Sequence, residues 1–446
     1  VKASASDTIV ALATGAAPAG VAIVRISGAS ALACARRLAS LPEPMPVRTA
    51  LLRQIAEPGG GRKLDEAILL YFKAPGSYTG EDVIELQAHG GLRQVEAVLA
   101  AAQAAGARAA EPGEFSRRAV INGRMSLERA EAVAELVGAE TDAALAAARA
   151  QLFGGLGAAI DSICKLALEA LAGIEAGLDF PEEASDSGER IQDLPGRCSS
   201  LANRCASLLT THRLGRALQE GVRVVLAGAP NAGKSSLFNA LVGEQRAIVD
   251  EEPGTTRDAV EARIELQGIP CTLVDTAGLR EGGHRVERCG MERTRQELDR
   301  GALRIWVIDA SRPMACPEPR TGEWLDVMNK CDLSAAGPLP GDALCVSART
   351  GEGLRELRQA VAGRVLGDRA GATTGEVVIT RRRHAELLER AKAAFERASV
   401  NASSGHPLEI AAYDLREAVR GLDQILGRGV DDALLDEIFS KFCIGK

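Results

Sequence analysis

The stretch Gly228-Ala229-Pro230-Asn231-Ala232-Gly233-Lys234-Ser235-Ser236 fits the pattern G-x-x-x-x-G-K-S/T. It constrains the fold because it needs a strand before it and a helix after it. The apolar run Val222-Arg223-Val224-Val225-Leu226-Ala227 reads as that strand, and Ser236 to Leu241 reads as the start of the helix. In such a loop the glycines let backbone N–H groups curl around phosphate oxygens. Asn231, Ala232, Gly233, Lys234, Ser235 and Ser236 are therefore candidate nucleotide contacts. Lys234 supplies a cation to the β- and γ-phosphates, and the Ser235 hydroxyl is a candidate Mg²⁺ ligand.

Four further stretches supply what a guanine-nucleotide domain requires. Pro253-Gly254-Thr255-Thr256-Arg257-Asp258 puts a threonine in a mobile loop, where Thr256 can complete the Mg²⁺ shell only when a γ-phosphate is present. Asp275-Thr276-Ala277-Gly278 ends an apolar strand as D-x-x-G: Asp275 can hold the metal through water, and the Gly278 N–H can meet the γ-phosphate. Asn329-Lys330-Cys331-Asp332 is N-K-x-D, and its last carboxylate can accept from guanine N1–H and the exocyclic amine. Adenine would leave those polar groups unpaired. Ser347-Ala348-Arg349 follows the apolar Ala343–Val346 and can support the base contact. Each motif alone is weak, but five in order point to GTP. The position directly after D-x-x-G, where Ras-type enzymes carry a water-orienting glutamine, is Leu279. Something else must position the attacking water, and Arg280, Glu281, Glu287 and Arg288 follow in the same segment.

At 446 residues the chain exceeds one hydrophobic core, so two to four domains are expected. A formal net charge of -7 excludes a polycation, leaving nucleic-acid contact to a local basic patch such as Arg381-Arg382-Arg383. The ten cysteines form no C-x-x-C pair, which argues against a zinc ribbon or a disulfide framework and for reduced thiols. No apolar run approaches bilayer-spanning length and no signal peptide is expected, so the reading is cytoplasmic with no membrane partner.

Ahead of the nucleotide segment, strand candidates at Thr8–Ala13, Ala19–Gly28, Leu51–Ala56, Asp65–Phe72 and Glu81–Gly91 are joined by helical stretches at Ser30–Ala39 and Gly91–Ala105. They predict a compact α+β domain. Arg25 and Glu85 sit in apolar strands, where a charge is costly unless paired or bound. His89, beside two glycines, reads as structural. From Ser126 the pattern is helical, breaking at Asp179-Phe180-Pro181 and resuming to Leu218; it returns over Arg383–Val400, Leu408–Leu422 and Asp431–Phe442. The economical reading is one helical domain interrupted by an inserted nucleotide domain. The expected division is 1–122, 123–220, 221–375 and 376–446.

With the opening D-T-I-V-A and V-R-I-S-G, the stretch E-D-V-I-E-L-Q-A-H-G-G, the switch P-G-T-T-R-D and the terminal Phe442-Cys443-Ile444-Gly445-Lys446, the chain resembles the bacterial tRNA modification GTPases of the MnmE (TrmE) family from end to end. The resemblance implies a multidomain α/β plus all-α protein: an N-terminal α+β folate-binding domain, a discontinuous helical domain, and an inserted Ras-like P-loop GTPase domain. It implies a homodimer acting on tRNA with the FAD-dependent partner MnmG. The product would be an aminomethyl or carboxymethylaminomethyl group on C5 of the wobble uridine. The one-carbon unit would come from a reduced folate, 5-formyl- or methylene-tetrahydrofolate.

The resemblance also assigns residues. Asn231 would ligate a K⁺ ion beside the phosphates, capped by the loop Val249–Thr255 with Asp250, Glu252 and Thr255 as ligands; Asp250, Gly254 and Thr255 would also touch the nucleotide. That ion would take the place of an arginine finger. Glu287 aligns with the carboxylate that orients the hydrolytic water. Arg25, Glu85, Arg124 and Lys446 align with folate-contacting positions, although Arg124 stands where a lysine is common and its geometry differs. Cys443 would take part in the modification. Competing readings are a ribosome-assembly GTPase of the Era or Der type, which would carry a KH module after the nucleotide domain, and a folate-binding scaffold with a vestigial nucleotide domain.

Overall fold

Residues 7–15, 17–179, 193–243, 260–276, 301–314, 320–333, 342–366 and 377–446 are described by a computed structural model. Two compact units result: Val1–Ala134 with Asp423–Lys446, and Glu135–Leu422.

The first unit is built on a six-stranded sheet. Its strands are β1 (Ile9–Leu12), β2 (Ala19–Ser27), β3 (Leu51–Ala56), β4 (Lys63–Phe72), β5 (Val83–Gly90) and β6 (Arg108–Ala109), in the order β3-β4-β5-β2-β1-β6. All pairings are antiparallel except β1 with β6. Alternation along β2 sends Ala22, Val24 and Ile26 to the buried face. There Val24 and Ile26 join Leu69, Ile84 and Leu86 under helices Ala31–Leu38 and Leu92–Ala104. The helix Glu114–Ile121 starts at Gly113, whose φ of 66° is left-handed and whose position admits no Cβ: one would lie 2.7 Å from the Phe439 carbonyl oxygen. The C-terminal helix Asp432–Phe439 packs Leu435, Ile438 and Phe439 with Leu127 and Ala130 in the same unit.

The second unit carries another six-stranded sheet: β7 (Val222–Gly228), β8 (Val260–Leu266), β9 (Ile269–Asp275), β10 (Leu303–Asp309), β11 (Glu323–Asn329) and β12 (Leu344–Cys345), ordered β12-β11-β10-β7-β9-β8. Only β8 is antiparallel. β7 lies between β9 and β10, so the strand order reverses across it, and in parallel sheets that switch point is where ligands bind. Val224, Leu226, Leu273, Ile305 and Val307 fill one face with Leu237 and Leu357 from the flanking helices.

Helices also make up the rest of this unit: Asp142–Leu152, Gly155–Asp179, Leu194–Leu209, His212–Glu220 and Arg382–Ser403 among them. The expected long helix up to Leu218 is two helices, broken at Thr210-Thr211, where each threonine hydroxyl donates at 2.6 Å to a carbonyl three residues back. Thr211 Oγ1 also accepts from the Ile379 N–H at 2.9 Å, and Gly215 meets the Ile379 carbonyl so closely that a Cβ would lie 2.4 Å from it. These contacts tie the segment before the nucleotide domain to the one after it.

Candidate functional site: a phosphate and guanine pocket

The phosphate loop runs from the C-terminal end of β7 into the helix Lys234–Gly243. Two glycines are dictated by close approach. A Cβ at Gly228 would lie 2.3 Å from the Val307 carbonyl oxygen, and one at Gly233 would lie 2.3 Å from Asn329 Nδ2. Asn231 takes a left-handed φ of 63° and is exposed at the loop tip. Lys234 is buried at its base and donates to the Gly228 and Ala229 carbonyls at 3.0 and 2.9 Å, which aims its charge along the loop. Ser235 Oγ donates to Asp275 Oδ2 at 2.5 Å, so a hydroxyl and a carboxylate stand together as hard oxygen donors that suit Mg²⁺. Thr276 fixes the end of β9 by donating from Oγ1 to the Leu226 carbonyl at 2.7 Å. Ala232 is buried, while Ser236 is exposed on the first helical turn.

The residues expected to recognise the base are stitched to this loop. Asn329, 2% exposed, donates through Nδ2 to the Ala232 carbonyl at 3.1 Å and the Gly233 carbonyl at 3.4 Å, while its Oδ1 accepts from the Ala348 N–H at 3.1 Å. Lys330 Nζ donates to the Asn231 carbonyl at 2.7 Å and to Asp309 Oδ2 at 2.6 Å. Hydrogen bonds from Lys330 and then Ser311 pull the Asp309 carboxyl down to about 2. Asp332 accepts from Ser347 Oγ at 2.7 Å, and its second oxygen lies 2.7 Å from the Arg349 guanidinium. The Ser347 bond, then nearby Arg349, hold the Asp332 carboxyl below the usual carboxylate range despite an opposing desolvation effect. An ionised Asp332 is what a guanine edge with two donors requires.

Asp309 was not singled out in the sequence. The signal available was an apolar strand ending in a carboxylate, as β9 does at Asp275. Asp250, Glu252, Gly254, Thr255, Thr256, Ala277, Gly278 and Glu287 lie outside the described residues.

Two models of known families cover nearly the whole chain. One, described as the MnmE helical domain, matches residues 127–443, and the other, the GTP-binding protein TrmE N-terminus, matches residues 8–124. The tRNA modification GTPase MnmE of Symbiobacterium thermophilum is 44% identical over 463 residues, covering 99% of each chain. This chain belongs to the MnmE family. The MnmE of Myxococcus xanthus is likewise 44% identical, over 99% of this chain and 100% of its own. Among solved structures, the G domain of the T. maritima FeoB iron transporter covers 32% of this chain and 98% of its own at 27% identity, with a TM-score of 0.24.

The residues expected from the resemblance to contact folate fall in the first unit. Arg25 and Glu85 are register partners on β2 and β5, and they pair: Arg25 Nε donates to Glu85 Oε1 at 3.0 Å. The charges that the strand setting made costly thus satisfy one another. The Arg25 guanidinium also stands over the Tyr78 and Phe115 rings, at 5.4 and 5.6 Å from their centroids. Neither aromatic was marked in the sequence. Arg124 is exposed and donates from Nε to the Ser77 carbonyl at 3.1 Å. The terminal segment reaches the same sheet: Gly445 abuts the Leu12 carbonyl, and the Cys443 carbonyl accepts from the Gly113 N–H at 3.3 Å. On β1, Leu12 neighbours Ala11, the register partner of Arg25. Cys443 is exposed and Lys446 half-buried. His89 accepts a structural role, with its ring nitrogen 2.8 Å from Asp65 Oδ1.

The basic cluster after the nucleotide segment is largely neutralised within the second unit. Arg381 pairs with Glu135 at 2.9 Å and Arg382 with Glu386 at 2.6 Å.

Proposed function

We propose that this protein hydrolyses GTP to drive modification of the wobble uridine of certain tRNAs at C5. In this reading it acts in the cytoplasm as a homodimer with the FAD-dependent partner MnmG and a reduced folate, 5-formyl- or methylene-tetrahydrofolate. The observation that carries the reading is the shared pocket of Lys234, Ser235, Asp275, Asn329 and Asp332 in a chain of the MnmE family. The division into segments 1–122, 123–220, 221–375 and 376–446 belongs to the same proposal.

The residues take the following roles. Backbone N–H groups from Asn231 to Ser236 and the Lys234 ammonium bind phosphate oxygens; charge that develops there in the transition state meets donors already in place. Ser235 and Thr256 would hold Mg²⁺, with the Asp275 carboxylate bonded to Ser235, and the metal would supply charge neutralisation at the phosphates. Asn231, with Asp250, Glu252 and Thr255, would hold K⁺. Thr276, Ala277, Gly278 and Gly254 contact the nucleotide, and Glu287 orients the attacking water where Leu279 cannot. Asp332 reads the guanine edge, framed by Asn329, Lys330, Ser347, Ala348 and Arg349.

For the folate, Arg25 and Glu85 offer a paired donor and acceptor beside two aromatic rings, with Arg124 and Lys446 as further cations and Cys443 acting in the modification. Homodimerisation is supported by an exposed apolar row on the first sheet, where Leu52 (57% exposed) lies opposite Ile68 (38% exposed) on neighbouring strands. The ribosome-assembly alternative receives no support from the described residues after 377: they form helices Arg382–Ser403, Leu408–Leu426 and Asp432–Phe439, without the strands of a KH module.

The test pairs two measurements. GTP turnover is expected to rise when Na⁺ is replaced by K⁺ and to lose that dependence in Asn231→Ala. Mass analysis of tRNA from a strain lacking the protein is expected to show unmodified wobble uridine at C5. Equal turnover in both salts would remove the potassium role, and intact wobble uridine would remove the tRNA role.

A further inference from the structure

Cys331 is the variable residue inside Asn329-Lys330-Cys331-Asp332, and Cys345 stands two residues before Ser347. The fold brings them together. Parallel pairing of β11 with β12 sets Met328 opposite Cys345. The ladder continues past the strand ends: Val346 N–H donates to the Met328 carbonyl at 2.8 Å, and Cys331 N–H donates to the Val346 carbonyl at 3.2 Å. The Cys331 thiol turns back onto the Met328 carbonyl at 3.2 Å, and Met328 is the cross-strand neighbour of Cys345. Both are partly exposed, whereas Cys34, Cys164, Cys198, Cys205 and Cys271 are buried. Burial pushes the Cys205 and Cys271 thiols up to about 12, which makes them poor nucleophiles.

We propose that Cys331 and Cys345 form a reversible oxidation site, and that their disulfide weakens guanine-nucleotide binding. The oxidant is a small peroxide. One thiolate attacks the O–O bond of hydrogen peroxide, giving a sulfenic acid and water; the second thiol displaces the sulfenic oxygen as a further water, closing the S–S bond. Two thiols and one hydrogen peroxide become one disulfide and two waters, with the peroxide reduced by two electrons. Burial, then the neighbouring thiol, push the Cys331 thiol up to about 11. A thiol reductant reverses the reaction by exchange.

The site matters because of what flanks it. Lys330, at a left-handed φ of 67°, binds the phosphate-loop carbonyl of Asn231; Asp332 is held by Ser347, two residues beyond Cys345. A disulfide requires the sulfurs to close to about 2.05 Å. Cys331 then leaves the Met328 carbonyl, and the Lys330 and Asp332 side chains on either side are drawn out of register with the base.

The affinity part of this inference rests on the guanine-nucleotide reading; the cross-link does not. The full-length protein is treated with hydrogen peroxide, digested without reduction and mapped by mass spectrometry, and binding of a fluorescent GDP analogue is measured before and after. The expected result is a Cys331–Cys345 linked peptide, two hydrogens lighter than the sum of its parts. The Kd for the analogue should rise at least about 10-fold and recover with dithiothreitol. Cys345→Ala should bind the analogue as the parent does and keep that affinity after peroxide. Absence of the linked peptide, a linked peptide with unchanged Kd, or the same loss in Cys345→Ala would each overturn the proposal. Reduced parent protein that binds no GDP analogue would instead sink the nucleotide reading, and the linked peptide alone would then decide for or against the oxidation site.

Discussion

Replacing Asn329 with alanine tests whether the phosphate loop and the base loop are one structure. The Asn329 amide is 2% exposed and links three backbone groups: the Ala232 carbonyl at 3.1 Å, the Gly233 carbonyl at 3.4 Å, and the Ala348 N–H at 3.1 Å. The two shorter bonds contribute about 1 kcal/mol each, and stranding the Ala348 N–H adds a desolvation cost of about 1 kcal/mol. The expected loss is therefore ~2–3 kcal/mol in the stability of the nucleotide domain. The assay is built into the sequence, because the chain has two tryptophans and both, Trp306 and Trp324, lie in this sheet. Denaturant unfolding followed by tryptophan fluorescence thus reports this domain and not the first unit. The midpoint should fall while the slope holds, and GDP should rescue the variant less than it does the parent, since the pocket it binds is loosened. A midpoint shift worth less than about 0.5 kcal/mol, with unchanged rescue by GDP, would refute the reasoning.

Other outcomes follow from the same geometry. Asp332→Asn should weaken GTP binding and improve binding of xanthosine triphosphate, whose 2-oxo group matches an amide donor; competition titrations read the exchange of preference. For Asp309, Lys330 and Ser311 favour the charged carboxylate, so its contribution is complete above about pH 4 and is lost as pH falls towards 2. Solvent screening brings that contribution to about 1 kcal/mol, and Asp309→Asn should remove this acid limb from tryptophan-monitored unfolding curves. In the first unit, Arg118 is 9% exposed in its side chain and binds Asp7, Glu81 and Glu114. Arg118→Ala removes three charge-assisted contacts, although Asp7 and Glu114 keep Arg108, and should cost about 2–3 kcal/mol, seen as an early transition by circular dichroism with the tryptophan signal intact.

The nucleotide site was legible because its chemistry is local. The apolar run before Gly228, the glycines and Lys234 are contiguous, and one strand-loop-helix carries them. Strands β1 to β5 of the first sheet were legible for a similar reason: β2 alternates, and its bounds fall within a residue of the expected ones, whereas the two-residue β6 was not expected. The helix Glu114–Ile121 was missed because its buried face holds Glu114, Ser116 and Arg118 beside Phe115 and Ala119. A hydrophobicity pattern cannot recognise a face whose burial is balanced by ion pairs from residues about a hundred positions away, as Asp7 is from Arg118. The pairing of Arg25 with Glu85 has the same character. Each residue signalled a cost in its own strand, but that they answer one another depends on the β2–β5 register.

The wedge of Gly445 against the Leu12 carbonyl, and the Gly113 N–H bound to the Cys443 carbonyl, have a consequence for biosynthesis. Strand β1 and Gly113 leave the ribosome hundreds of residues before the segment that completes their packing. The first unit to be made is thus the last to be finished, and it must wait, with Leu127 and Ala130 short of partners, through translation of the whole nucleotide domain.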